Sequence, residues 1–273
     1  MPDFDRAVAD VYDIINERPG RSDAECFRMY KTTNENLTTI FGQFDFTDKD
    51  VLSVLSSSDQ LLSSYFLGAK SVDTFDNNLT PYLFYYLKKW CMEYTGKSVL
   101  SSSNRELIEC LDLHNNTLIE KNVAYFWRRI LINIREPLAR SALFFNQFHE
   151  YSVPYTRDLD KMVGLINDRE PNYSKMDMFQ EQDIKKKYDV IVLSNILEYA
   201  YKEDIDYQVV IDNLLNSLND DGIVICSNLI FEKALEAGEF DEYFDIHPGA
   251  YEYEPYRERY KPISYSYTKK KKS

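Results

Sequence analysis

The stretch KDVLSVLSSSDQLLSSYFLGAKSVDTFDNN (residues 49–78) decides the fold of this chain. Its β-branched and leucine run, residues 51–55, is typical of a strand that is buried on both faces of a parallel sheet. A turn of three serines follows, then a helical segment that Gly68 can cap, and then a second strand over residues 71–76. Strand, turn, helix and strand in this order predict an α/β unit with parallel strands. Turns of this kind usually carry glycines, so the serines raise the question of whether the turn binds a ligand.

The rest of the chain continues the α/β pattern after an interruption. A long helix is predicted to begin near Pro81, where proline is tolerated in a first turn, and residues 95–170 contain two or three helical patterns. Strands resume in the second half, at residues 173–177, 188–197 and 223–231, with a last one in PISYSYTKK (262–270). A helix over residues 207–218 and a turn at NDDG (219–222) are predicted before the strand at 223–231. A late hairpin-like pair places one antiparallel strand in the sheet.

These elements predict a Rossmann-like α/β fold: a mostly parallel sheet with one antiparallel strand, helices on both faces and a helical insertion. We expect a single domain over residues 1–273. Residues 1–45 read as a helical N-terminal cap, and residues 95–170 read as the insertion.

Composition excludes several classes of protein. A net charge of −13 argues against a general affinity for nucleic acid, and the three histidines lack the spacing of metal ligands, so no metal site is expected. The four cysteines are scattered, which favours free buried thiols over a disulfide framework. The N-terminus lacks the layout of a signal peptide, and no apolar run approaches the ~20 residues of a membrane span. We therefore expect a cytoplasmic protein; its oligomeric state is unknown.

Two features near the first strands are candidates for ligand binding. At the turn of Ser56, Ser57, Ser58 and Asp59, backbone N–H groups at a helix N-terminus can bind an anionic group; alternatively, Ser58 or Asp59 is simply the N-cap. Asp76, with Asn77 beside it, ends the second strand 20 residues after Ser56. An acid at this offset accepts hydrogen bonds from ribose hydroxyls in dinucleotide-binding folds. A turn aspartate that caps the next helix is the alternative.

Two later strand ends carry further candidates. Asp177 follows the third strand, where its carboxylate can accept from an adenine amino group while Met178 packs on the ring; a plain loop aspartate is the alternative. After the fourth strand, Ser194 and Asn195 face the expected reaction site, and Asn195 can orient a substrate nucleophile. Tyr199 lies one helical turn further on and shares that face. Capping of a helix by Ser194 or Asn195 is the competing interpretation.

Taken together, these segments resemble a group of bacterial, Firmicutes-type proteins of the class I S-adenosylmethionine-dependent methyltransferase type, related to betaine-lipid aminocarboxypropyl transferases. The resemblance covers about residues 30–90 and 173–230. It departs at Ser58, where the group has glycine; if that residue needs a positive φ, a serine costs on the order of 1 kcal/mol. The matching residues are Asn34–Glu35–Asn36, Ser57, Asp59, Gln60, Gly68, Ala69, Asp76, Asn78, Leu87, Lys88 and residues 188–196.

The resemblance implies that the cofactor is S-adenosylmethionine and that Glu35 and its neighbours close the cofactor pocket. Methyl transfer to a small-molecule, sugar or lipid acceptor is the leading hypothesis. Two alternatives stay open: transfer of the 3-amino-3-carboxypropyl group of the same cofactor, and a degenerate, non-catalytic binding protein.

Overall fold

The structure is a computed structural model. In the part of the chain that it describes, it contains 19 helices and strands. The described residues are 29–30, 33, 35–97, 99, 102, 104–114, 117–133, 144–145, 153–167, 169, 171–197, 207–227, 240–254, 259–262 and 264–270. The strands are β1 Met29–Tyr30, β2 Asp50–Val54, β3 Ser71–Asp76, β4 Phe144–Phe145, β5 Asn172–Lys175, β6 Tyr188–Ser194, β7 Leu218–Ser227, β8 Phe244–Pro248, β9 Tyr251–Glu254, β10 Arg259–Pro262 and β11 Ser264–Lys269. The helices are α1 Leu37–Phe41, α2 Asp59–Phe66, α3 Thr80–Thr95, α4 Asn104–Leu113, α5 Leu118–Asn133, α6 Leu159–Asn167 and α7 Tyr207–Ser217, with a 3-10 helix at Pro154–Arg157.

Backbone contacts divide the chain into two compact units. The first contains the described residues within 1–34, 55–62 and 76–170, and the second those within 35–54, 63–75 and 171–273. Whether the chain is one domain stays a prediction.

The second unit is built on a seven-stranded sheet with the order β5-β3-β2-β6-β7-β11-β8. Strands β3, β2, β6 and β7 run parallel, and β11 lies antiparallel between β7 and β8. This mixed sheet confirms the predicted Rossmann-like α/β fold class, a mostly parallel sheet with an antiparallel strand. The two central parallel strands are the most buried, with β2 buried at four of five positions and β6 at six of seven, because helical connections cover parallel sheets.

The core of the second unit lies among the central strands and α7. Leu52 of β2, Ile191 of β6 and Val224 of β7 belong to one buried cluster with Phe75 and Tyr267. Burial of such side chains contributes roughly 1.5–3 kcal/mol each, so this cluster holds the strand ends in place.

The first unit has α3 at its centre. This helix contacts α4, α5 and α6, and its sequence supplies aromatic side chains on nearly every turn. The Trp127 indole N–H of α5 donates to the carbonyl oxygen of Leu83 at 2.8 Å, and its ring lies 5.7 Å from that of Phe84. Helix α5 is therefore anchored on α3 by a buried aromatic contact, and the insertion at 95–170 stays a prediction.

Several predicted boundaries are corrected by the structure. The strand predicted at 188–197 ends at Ser194, and the predicted turn at 219–222 is part of β7. The pairing explains the second difference, since Tyr188 pairs with Leu218 but Val190 pairs with Ile223, so β7 carries the extra residues as an irregularity of the ladder. Residues 29–30 are extended rather than helical, and the rest of the predicted N-terminal cap up to residue 28 lies outside the described residues.

The cysteine prediction holds where the structure describes it. Cys91, Cys110 and Cys226 are buried free thiols. Within the described part of the chain, none of the helices has the length and apolar character needed to cross a membrane.

Gly68 provides a test of the turn between α2 and β3. Its φ is +103°, and an added Cβ would lie 3.4 Å from the Thr47 Cα. We expect Gly68→Ala to lower the free energy of unfolding by at least about 1 kcal/mol, because an L side chain is strained at this φ. Urea unfolding followed by circular dichroism measures the change.

Gly164 is the matched control, because it lies within α6 and an added Cβ there meets nothing within 4 Å. Gly164→Ala should raise the free energy of unfolding by roughly 0.5–1 kcal/mol. Equal effects of the two substitutions would contradict the account of Gly68.

Candidate functional site

The serine turn between β2 and α2 has an unusual backbone. Ser56 has a φ of 45° and Ser58 a φ of 68°, both in the left-handed region that glycine favours. The Ser58 N–H donates to the Leu55 carbonyl oxygen at 2.6 Å, and the Ser58 carbonyl oxygen accepts from the Leu62 N–H at 3.0 Å. Ser58 thus has a backbone conformation that glycine adopts more readily, at the cost expected for an L residue.

Most of the turn is enclosed by protein. Ser57, Ser58 and Asp59 are fully buried, whereas Ser56 is half-buried. Asp59 is the first residue of α2, and the first N–H groups of a helix have no acceptor within the helix itself. Direct contact of Ser57, Ser58 or Asp59 with a cofactor stays a prediction.

The Asp59 carboxylate is the centre of a buried polar network in the first unit. Its Oδ2 accepts from the Thr33 N–H at 2.7 Å and from the Ser57 hydroxyl at 2.8 Å. Its Oδ1 accepts from the Lys88 ammonium at 2.6 Å and from the Tyr155 hydroxyl at 2.5 Å. Burial lowers the pKa of Lys88, and the charge of Asp59 opposes that shift. Asp59 therefore holds the serine turn through these hydrogen bonds, and its side chain does not act as the N-cap of α2.

Asp76 joins the turn to the end of β3. Its Oδ2 accepts from the Ser56 N–H at 3.0 Å, and its Oδ1 accepts from the Asn78 N–H at 3.0 Å. Burial raises the pKa of Asp76 to about 6, although backbone N–H groups of Asn78, Ser56 and Asn77 oppose the shift. Asn77 is exposed beside it. Asp76 thus accepts from the backbone that follows it, as the turn-aspartate alternative predicts. It also lies within hydrogen-bond distance of the serine turn.

A second polar pair lies at the end of β6 in the second unit. The Ser194 hydroxyl donates to Glu35 Oε1 at 2.6 Å, and both residues are buried. Ser194 has a φ of 55° and follows a register shift opposite Cys226. Strained backbone of this kind is common at functional sites. Asn195 is half-buried next to it, with Oδ1 3.5 Å from the Ser194 hydroxyl.

The remaining candidates are less concentrated. Asp177 Oδ1 accepts from the Phe179 N–H at 3.0 Å, as a loop aspartate does. Met178 belongs to the buried cluster of the second unit. Adenine binding by these two residues stays a prediction. Tyr199 lies outside the described residues, and within them no group of three or more His, Cys, Asp or Glu side chains is suited to hold a metal ion.

Sequence reasoning missed two partners of Asp59. Thr33 and Tyr155 contact it from 26 and 96 residues away, and Lys88 contacts it from 29 residues away. A buried aspartate next to a serine turn requires a cation and several donors, which is a signal that a partner exists but not which residue it is.

The fold resembles several solved methyltransferases. The ribosomal protein L11 methylase of Lactobacillus delbrueckii subsp. bulgaricus is 15% identical, with a TM-score of 0.38, over 82% of this chain and 72% of that chain. A SAM-dependent O-methyltransferase of Thermotoga maritima is 10% identical, with a TM-score of 0.39, over 97% and 72%. A TehB-like SAM-dependent methyltransferase of Corynebacterium glutamicum is 11% identical, with a TM-score of 0.35, over 82% of each chain. No protein-family model and no curated protein matches this chain.

The left-handed serine can be tested directly. We expect Ser58→Gly to raise the free energy of unfolding by on the order of 1 kcal/mol, because glycine reaches a φ of 68° without strain. Ser57→Gly is the control: Ser57 has no positive φ and donates to Asp59, so its loss should destabilise the protein. Urea unfolding of the two variants should give changes of opposite sign; a lower stability of Ser58→Gly would contradict the strain at Ser58.

Proposed function

We propose that this protein is an S-adenosylmethionine-dependent transferase, in the first instance a methyltransferase, and that the serine turn and Asp76 bind the cofactor. The observation that carries the proposal is the 3.0 Å hydrogen bond from the Ser56 N–H to Asp76 Oδ2. It holds an anion-binding helix start and a ribose-type acid next to each other at the ends of two adjacent parallel strands. Ligands of doubly wound sheets bind at such strand ends.

The chemistry of these residues fits the two polar ends of the cofactor. S-adenosylmethionine carries a carboxylate, which the N–H groups of Ser57 and Asp59 can bind at the start of α2. Its ribose hydroxyls are donors, and a carboxylate such as Asp76 offers about four acceptor directions on its two oxygens. Ser56 and Asn77, which are not fully buried, flank that acid.

The chain needs few further groups for this reaction. The sulfonium of the bound cofactor supplies an activated methyl group, so the protein has to orient an acceptor nucleophile and exclude water. Asn195 is the candidate for orienting the acceptor, and the buried Glu35–Ser194 pair is a candidate for shaping the strand end beside it. Tyr199 is a further candidate for the same face as Asn195, on the basis of its place in the sequence alone.

For the acceptor we propose only a chemical class. The net charge of −13 favours a small-molecule, sugar or lipid acceptor over bulk nucleic acid. Product analysis separates the two transfer reactions: methyl transfer leaves S-adenosylhomocysteine, and aminocarboxypropyl transfer leaves methylthioadenosine.

Calorimetry with S-adenosylmethionine tests the proposal. The wild-type protein should bind, and Asp76→Ala should raise the dissociation constant by at least about tenfold, since it removes the acceptor for two hydroxyl donors. Asp73→Ala is the control on the same strand, because Asp73 pairs with Lys186 and Tyr188 instead and should leave affinity unchanged. No binding by folded wild-type protein at ligand concentrations up to ~1 mM would overturn the proposal.

The pKa of Asp76 predicts a pH dependence of binding. Because the raised value is about 6, Asp76 is ionised at pH 7 and mostly protonated at pH 5. A protonated carboxyl loses acceptor capacity, so affinity for S-adenosylhomocysteine should fall by about tenfold from pH 7 to pH 5. Calorimetry across this range checks it, with Asp76→Asn expected to show a flat profile. An equal slope in wild type and Asp76→Asn would assign the titration to another group.

A further inference from the structure

We propose that Tyr155, in the 3-10 helix that precedes α6, is a positioning residue for the cofactor turn and acts through Asp59. This inference rests on the proposed function, since it concerns how the serine turn is held ready for the cofactor's carboxylate. The Tyr155 hydroxyl reaches the turn through Asp59 Oδ1, at 2.5 Å.

The four hydrogen bonds to the Asp59 carboxylate act together. Two donors hold Oδ1 and two hold Oδ2, and the carboxylate is enclosed, with 1% of its side chain exposed. Lys88, the cation of the pair, is 6% exposed. In a setting of this kind the loss of one donor is not replaced by water, so a change at Tyr155 moves or weakens the whole carboxylate.

The Asp59 carboxylate is also linked to the backbone of the serine turn. Asp59 directly follows Ser58, whose φ is 68°, and it accepts from the Ser57 hydroxyl. Strained φ values persist only where the surroundings fix them. The position of Asp59 therefore determines where the N–H groups of the turn point.

The buried ion pair between Asp59 and Lys88 has a role other than stability. A buried pair such as Asp59–Lys88 contributes little net stability, because both charges lose their hydration. Its effect lies in selecting one arrangement of the donors around the carboxylate. Tyr155 completes that arrangement from the helical insertion, 96 residues along the chain, so the insertion sets the geometry of the turn.

Two ligands distinguish positioning from general destabilisation. S-adenosylhomocysteine carries the carboxylate that the turn is proposed to bind, whereas methylthioadenosine has the same adenosine part and no carboxylate. We expect Tyr155→Phe to raise the dissociation constant for S-adenosylhomocysteine by about tenfold and to leave that for methylthioadenosine within twofold. Calorimetry with the full chain measures both.

Tyr82→Phe is the matched control. It removes another buried hydroxyl of the first unit, which lies 3.1 Å from the Tyr86 hydroxyl. We expect it to shift Tm by a similar amount to Tyr155→Phe and to leave the affinities for both ligands unchanged. The double variant Asp59→Asn, Lys88→Met removes both charges and should reproduce the ligand pattern of Tyr155→Phe, because an asparagine accepts through only one atom.

The outcomes separate the two proposals. If the wild type binds neither ligand, the proposed function fails and this inference fails with it. If the wild type binds both and Tyr155→Phe binds S-adenosylhomocysteine within twofold of wild type, only the inference is overturned. An equal loss for both ligands would also overturn it, since that pattern indicates general destabilisation.

Discussion

The constraint on which the rest of the first unit depends is the enclosed carboxylate of Asp59. A buried charge is tolerated only when donors and a counter-charge satisfy it, and here Thr33, Ser57, Lys88 and Tyr155 do so. These donors come from four separate segments of the chain. Their convergence fixes the start of α2, and with it the serine turn that joins the first strand of the sheet to that helix.

Two buried polar networks connect residues that are far apart in the sequence. Ser57 and Lys88 are distant in sequence, yet both are hydrogen-bonded to Asp59. Glu35 and Ser194 are bonded to each other. These residues are thus partners in two buried polar networks. Ser58, between Ser57 and Asp59, has a positive φ.

The fold was largely predictable because its signals are local. Apolar runs such as residues 188–194 have the length and composition of buried parallel strands, and Thr80–Thr95 has a proline in its first turn and ends before a left-handed glycine. The boundaries that differ are those set by pairing between strands. The residues of the predicted turn at 219–222 lie in β7 because of their register with β6, and register leaves no mark in the local sequence.

By itself, the sequence determined the strand–turn–helix–strand unit and the offset of Asp76 from the serine turn, because both follow from short-range periodicity and turn chemistry. Only the tertiary structure decided that Ser56 donates to Asp76 and that Tyr155 completes the shell of Asp59. Hydrogen bonds between residues tens of positions apart depend on how helices and loops pack. Packing selects one partner among many similar side chains, and no spacing in the sequence distinguishes Tyr155 from the other tyrosines of this chain.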